Sequence, residues 1–587
     1  MSMGVVARFG HALLLSALTA LTACGGGGGG ADKAAGIPPE AAPCVTRACA
    51  LTFSPATAVS QHDEGEQQAF KIGVRLNTAI DGPVYVLVVD PKSVFDSQIP
   101  LQFESQTSAI ATLTVKSSAL PGRYSDNLRV RLCRDAQCTR EYPGSPVSLP
   151  YDVQIDSLVP RLTSLSTIGP DWDSHQGNAA HTGAVPISVS PVKFARRWQW
   201  RVGATPDVVD LSHVVTHRGK AYFSTSVGWS GYARDFGKHV FAIDEATGVQ
   251  AWRFDYPLGT APTAPAVSDG MVFAGANWSG SYHFWALDHA SGAQLSENGL
   301  GTQWRYYKAA TVMGGRLYQH GGYNNGGIAS FDLANRESVW NNELWDVSHP
   351  GAVAVDETYA YAVTYGTLYT PESDGALVKL NRLTGAVVKK IRPSYPSSST
   401  SQFFGGVGNE SSPTPVITGP DQVVLSYLNP VIVNGASGMN HRLEKLDTAT
   451  GNSVWRIDVP VTNPSLLSAY TSQNPQTSDP VSINGTLIVV NPANAKVEAR
   501  RESDGQLLWS WAPPGEDQAA LLAHDVRASP VSTATVVFIP TSRFVYGLDT
   551  ATGKAVWRHG NTGQLAISGT GVLYVSGKDR LDAINLR

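Results

Sequence analysis

Ala242-Ile-Asp-Glu-Ala-Thr-Gly248, followed by Trp252, is the stretch on which the reading of the whole chain turns. An Asp followed three and four residues later by Thr and Gly makes a tight turn. The carboxylate accepts from nearby backbone N–H groups, and Gly accepts a positive φ. An aliphatic residue stands before the Asp and an aromatic strand after the Gly, so the unit predicts two antiparallel strands joined at a hairpin. The unit returns at Leu446-Asp-Thr-Ala-Thr-Gly451 with Trp455 and at Leu548-Asp-Thr-Ala-Thr-Gly553 with Trp557. Looser copies are Asp288 to Gly292, Asp332 with Trp340, Asn381 to Gly385, and Arg501 to Gly505 with Trp509. A last copy, Leu581-Asp-Ala-Ile-Asn-Leu586, ends the chain. Aligned on the Asp or its substitute, the steps are 44, 44, 49, 66, 54, 48 and 36 residues.

A self-similar unit of this length is the signature of a repeat architecture. One small sheet cannot cover its own apolar faces, so the sheets must stack. Trp252, Trp340, Trp455, Trp509 and Trp557 sit eight residues after the Asp, where Ser296 and Lys389 stand in the other two copies. A large ring at a fixed place in each sheet, burying roughly 150–250 Å², is expected to strap one repeat to the next. The last copy lacks its Trp strand, whereas Phe194-Ala-Arg-Arg-Trp-Gln-Trp-Arg-Val202 has a strand and no sheet of its own. Pairing the two removes the open edges and predicts an all-β, eight-bladed β-propeller over residues 191–587.

Aliphatic-Asp-x-x-Thr-Gly-x-x-x-Trp resembles the repeat of pyrroloquinoline-quinone-type (PQQ-like) propellers. Trp172 with His175-Gln-Gly-Asn-Ala-Ala-His-Thr-Gly183 resembles the lead-in segment that precedes such propellers, which makes residues 157–190 linker and lead-in and gives His175 and His181 a structural role. That resemblance implies one of two functions. The family contains quinone-dependent dehydrogenases and also non-enzymatic members, among them the propeller lipoprotein of the outer-membrane β-barrel assembly machine. The quinoproteins that carry adjacent cysteines over the quinone do not match a propeller without cysteine, and no calcium-binding Glu, Asn and Asp set maps onto this chain. No cofactor and no catalytic residue is therefore expected, with pyrroloquinoline quinone and calcium as the alternative. Neither His-Glu-x-x-His nor Gly-x-Ser-x-Gly is present.

Composition narrows the partners. Only 16% of residues are charged and the net charge is -4, so nucleic acid is not expected as a ligand. Arg8 precedes an apolar run from Ala12 to Leu21, too short to span a bilayer and suited to a secretory signal over residues 1–23. Leu21-Thr-Ala-Cys24 resembles the lipobox of bacterial lipoproteins, which implies a lipid on Cys24 and a membrane partner. Gly25 to Gly30 and the Ala- and Pro-rich run after them make residues 24–43 a tether. The resemblance, with Gly25 after the Cys, implies the outer membrane, facing the periplasm or the cell surface. Cys44, Cys49, Cys133 and Cys138 fit an oxidising compartment. Local pairs, Cys44 with Cys49 and Cys133 with Cys138, are expected among the three possible pairings.

Short alternating runs, such as Phe70 to Leu76, Val84 to Val89 and Ala109 to Val115, predict a sandwich over residues 44–156. Its last hairpin resembles that of bacterial Ig-like domains, and the expected role is a spacer.

Aromatic residues recur in the loops between the two middle strands of successive blades: Trp229 and Tyr232, Trp278 and Tyr282, then Tyr323 and Tyr365. Such loops converge on one face of a propeller. Aromatics among Gly and Asn suit a binding surface for an envelope protein or cell-surface polymer, or pack against neighbouring loops.

Overall fold

The computed structural model describes residues 3–9, 49–77, 82–201, 211–225, 238–278, 281–299, 310–320, 327–342, 352–364, 376–391, 413–433, 436–461, 478–514, 528–578 and 580–587. The chain divides into two compact units, Met1–Leu158 and Val159–Arg587. Among the described residues no helix is long and apolar enough to cross a membrane.

The first unit holds two sheets. In one, Leu51–Ser54, Ala69–Leu76, Ser108–Thr114 and Leu101–Phe103 lie in that order. In the other, Val84–Val89, Gly122–Cys133, Val147–Asp156 and Ala58–Asp63 follow one another, with the last pair parallel. Alternate residues of both sheets, including Ile72, Leu113, Leu128 and Val153, enter one core, as period-2 patterning requires. Cys133 and Cys138 form a disulfide with Cα atoms 4.9 Å apart. Cys49 is also disulfide-bonded; Cys44, like Cys24, lies outside the described residues. One element departs from expectation. Met3–Phe9, assigned to the leader, is a strand antiparallel to Val84–Val89. Its Val5 and Val6 favour extended backbone, and the neighbouring strand offers a free row of N–H and C=O groups.

The second unit contains, among the described residues, eight sheets of four or five strands. In chain order the first runs Val215–His217, Lys220–Ser224, His239–Asp244, Gln250–Asp255. The eighth is composite: Gln564–Ile567, Val572–Ser576 and Arg580–Asn585 are completed by Ala195–Arg201, with Ala195 opposite Asn585 and Arg201 opposite Arg580. The inner strands of successive sheets touch in order from sheet one to sheet eight, Ala266–Ser268 serving in sheet two and the first strand in each of the others. The step from eight back to one is made by His213, whose N–H donates to Gln564 Oε1 at 3.0 Å. Ser576 Oγ adds a bond to the Ser212 carbonyl at 2.6 Å.

The repeat motif explains the outer rim. Asp244 Oδ1 accepts from the Thr247 N–H and hydroxyl, and Asp549 does the same with Thr552. Each turn then meets the outer strand of the preceding sheet. Trp198, Trp252, Trp340, Trp455 and Trp509 donate Nε1–H to the carbonyls of Glu245, His289, Arg382, Glu502 and Thr550, at 2.8 to 3.1 Å. Each acceptor is the residue after the Asp or its substitute in the next sheet. The Gly three residues further on lies flat on the same indole. A Cβ at Gly385, where φ is +72°, would stand 2.6 Å from the Trp340 ring. The Gly thus serves two needs, a left-handed backbone and a surface without a side chain.

The exceptions follow the same logic. Where Ser296 replaces the Trp, the next turn has Arg336 at the Gly position, with φ +60° and no indole to avoid. Its Nη1 donates back to the Leu295 carbonyl at 3.1 Å. Lys389 substitutes for the indole as a donor, reaching the Ala449 carbonyl at 2.7 Å. Trp557 has no later turn to meet and packs against Phe194, ring centroids 5.5 Å apart.

Candidate functional site

The axis of the second unit has two unlike ends. One end is closed by the segment from Gly169 to Ile187, which reaches every sheet. Gly169 N–H donates to the Gly569 carbonyl beside sheet eight, at 3.0 Å. The carbonyls of Trp172 and Asp173 accept from Thr216 and Val267, in sheets one and two, at 2.7 and 2.9 Å. Those of Ala179, Ala180, Thr182 and Gly183 accept from Val355, Ile417, Ser482 and Ser532, in sheets four to seven, at 2.8 to 2.9 Å. Sheet three is reached by a side chain, His181 Nε2 to Thr311 Oγ1 at 2.9 Å. The path needs sharp reversals. Gln176 (φ +51°), Gly177 (+82°) and Gly183 (+65°) supply them, and Gly177 lies against the buried Trp172 ring.

The polar side chains of this segment face inward. His175 Nε2 and Asp479 Oδ2 are 2.7 Å apart, both buried. The Asp479 N–H donates to Ser529 Oγ at 3.0 Å. The rings of His181 and His213 stand 5.5 and 5.7 Å from that of His175. Burial pushes the Asp173 carboxyl up to about 7, against the hydrogen bond from Ser174. His175 and His181 thus tie the segment to sheets six and three. Among the described residues no three His, Cys, Asp or Glu side chains gather in a way that would hold a metal ion.

A second polar group lies within sheets five and six and carries no motif that would have marked it in the sequence. Ser426 Oγ and His441 Nε2 are 3.0 Å apart. Glu498 accepts from Asn491, Asn494 and Arg500 at 2.6 to 2.9 Å. A hydroxyl beside an imidazole is the beginning of a nucleophile and base pair. Here both are buried, and burial lowers the His441 pKa to about 4. The imidazole is thus held neutral among the strands of the two sheets.

The aromatic residues expected on a binding face stand in the sequence at or between the second and third strands of the sheets. Trp229, Tyr232, Tyr323 and Tyr365 fall outside the described residues. Trp278 ends the strand Met271–Trp278, and its side chain is outside them too. Tyr282 is described, and it is buried. Its hydroxyl lies 3.3 Å from Thr263 Oγ1, and its ring shares a core with Phe284 and Phe331. The position pairs with Asn277 on a strand whose inward face takes up the ring, so Tyr282 does not belong to an exposed surface.

Sheets in sequence around an axis, clasped by indole and Gly, define a PQQ-like repeat β-propeller. Residues 199–427 and 424–585 match the family described as outer membrane protein assembly factor BamB, and the chain belongs to that family. It is 21% identical over 438 residues to tetrathionate hydrolase of Acidithiobacillus ferrooxidans, covering 68% of this chain and 82% of the relative. Among solved structures, BamB from Moraxella catarrhalis is similar at 16% identity and a TM-score of 0.43, over 67% of this chain and 98% of that one. A europium-containing methanol dehydrogenase is similar at 13% identity and a TM-score of 0.46, over 70% and 90%.

Proposed function

We propose that the protein is a lipid-anchored component of the bacterial outer membrane whose propeller binds another envelope protein or a surface polymer and performs no catalysis. In this reading residues 1–23 are a cleaved leader, Cys24 carries the lipid, residues 24–43 are a tether, and the first unit is an Ig-like spacer. The eight sheets are the blades of one closed ring. Membership of the BamB family supports a role in protein interaction. The observation that carries the choice of face is the plug. Residues 169–187 bond to all eight sheets at one end of the axis, and we assign Trp229, Trp278, Tyr323 and Tyr365 to the end that this segment leaves free. Large rings among small polar residues give contact area at low entropic cost.

Crosslinking in living cells, followed by mass spectrometry, tests this directly. A specific partner is expected, and Trp229→Ala with Trp278→Ala should abolish its capture. Undiminished capture would remove the face assignment. The likeness to tetrathionate hydrolase supports a second reading, in which the same face is catalytic. The resemblance to quinoproteins gives it a definite form, an oxidoreductase using pyrroloquinoline quinone and calcium. Adding both should then produce dye reduction and a rise in thermal midpoint, where the binding reading expects neither.

A further inference from the structure

In the longer sheet of the first unit, the outer strand Ala58–Asp63 and the strand Val84–Val89, which Met3–Phe9 alone separates from the other edge, are unlike in composition. Ala58–Asp63 reads Ala-Val-Ser-Gln-His-Asp, with polar and charged groups of the kind that keep a sheet edge from recruiting another strand. Val84–Val89 reads Val-Tyr-Val-Leu-Val-Val and has no such group. Val84 and Val88 are buried in the sandwich core, and Val86 packs against it. On the other face Tyr85, Leu87 and Val89 are half-buried and equally apolar. Strands apolar on both faces are characteristic of sheet interiors, not of edges. In the structure this strand is indeed interior, because Met3–Phe9 covers it, with Met3 opposite Val88 and Val5 opposite Val86. Those covering residues belong to the leader.

We propose that processing uncovers Val84–Val89 and that a second copy of the chain takes the vacated place, the two strands pairing antiparallel about a two-fold axis. The inference rests on the reading that residues 1–23 are removed. A two-fold axis through a residue of the strand keeps inward residues inward, and centring it on Val86 pairs the strand from Val84 to Val88. Val86 then lies opposite its own copy, Val84 opposite Val88, and Tyr85 opposite Leu87. All are β-branched, aromatic or aliphatic, so the strand is complementary to itself, as an isologous contact requires. The observed pairing with Met3–Phe9 shows that the edge accepts an antiparallel strand in this register class.

The test uses the processed protein, whose N-terminus is first read by mass spectrometry. A chain still beginning at Met1 would defeat the leader reading and leave the edge covered, an outcome separate from those that follow. With the leader absent, sedimentation should give a dimer at micromolar concentration. Tyr85→Lys with Leu87→Lys places four like charges across the seam and should give a monomer with an unchanged circular dichroism spectrum. Hydrogen exchange in the unaltered protein supplies a readout independent of that variant. Amides of residues 84–89 should exchange at least tenfold faster on dilution below the dimer midpoint. A monomer at all concentrations would overturn the proposal, as would a dimer indifferent to the two lysines. Binding of a synthetic strand by a protein that stays monomeric would overturn it also, since the edge would then serve a different partner.

Discussion

The rim and the axis of the propeller are held in opposite ways. At the rim each sheet is clasped to the next by one indole, one carbonyl and one Gly, and the device is repeated with substitutions. At the axis a single segment, used once, reaches all eight sheets. A repeated clasp spreads stability over many nearly independent contacts, so each is expendable, as Ser296 and Lys389 illustrate. A segment used once has no substitute.

Damage to the axis should therefore cost more than damage to the rim. Trp172→Ala removes a fully buried indole at the centre and is expected to cost about 3–5 kcal/mol, seen as the largest fall in urea midpoint. A loss no greater than that of a rim indole would erase the contrast. The next effect lies at the seam between sheets eight and one. Burial pushes the Glu245 carboxyl up to about 7, despite the hydrogen bond from Tyr574. A raised carboxyl pKa contributes stability that is present at low pH and is lost as the pH rises from the ordinary carboxylate range through about 7. Glu245→Gln should abolish that loss, recovering at most about 3 kcal/mol at pH 8 and little at pH 4, measured by thermal melts across pH.

Smaller effects sharpen the view of the rim. Gly385→Ala strains a left-handed residue and drives a methyl towards Trp340, for a loss of roughly 1–3 kcal/mol in chemical denaturation. Gly219→Ala, equally left-handed but with open space where its Cβ would stand, should lose less, and the difference measures the clasp. Trp509→Phe keeps most of the ring and removes one bond to the Thr550 carbonyl, costing about 1 kcal/mol. If it costs as much as Trp172→Ala, the rim is not redundant.

The same contrast governs what could be read in advance. Asp-x-x-Thr-Gly and Trp are legible because one local turn and one ring size recur, and the strand at Trp198 was identifiable as an orphan seeking the last sheet. The path of residues 169–187 left only the His and Gly of a lead-in segment as a trace. Its partners lie up to 400 residues away and differ at every blade, so no spacing encodes them. Ser426, His441 and Glu498 were invisible for a related reason: single polar residues on strands look alike until neighbouring sheets bring them together. Tyr282 reads as a surface residue because the loop-like Ser279, Gly280 and Ser281 precede a position whose side chain turns into the core.

The plug also orders events in time. Residues 169–187 leave the ribosome before any blade they bind, and their last acceptor, Gly569, is made 400 residues after its donor, Gly169. Contacts so distant in sequence form late and slowly. The axial segment must wait unpaired while the blades assemble, and an incomplete ring has nothing to close upon. In the proposed reading, in which the chain crosses a membrane before it folds, this delay is an advantage, because the last residues arrive before the structure can lock.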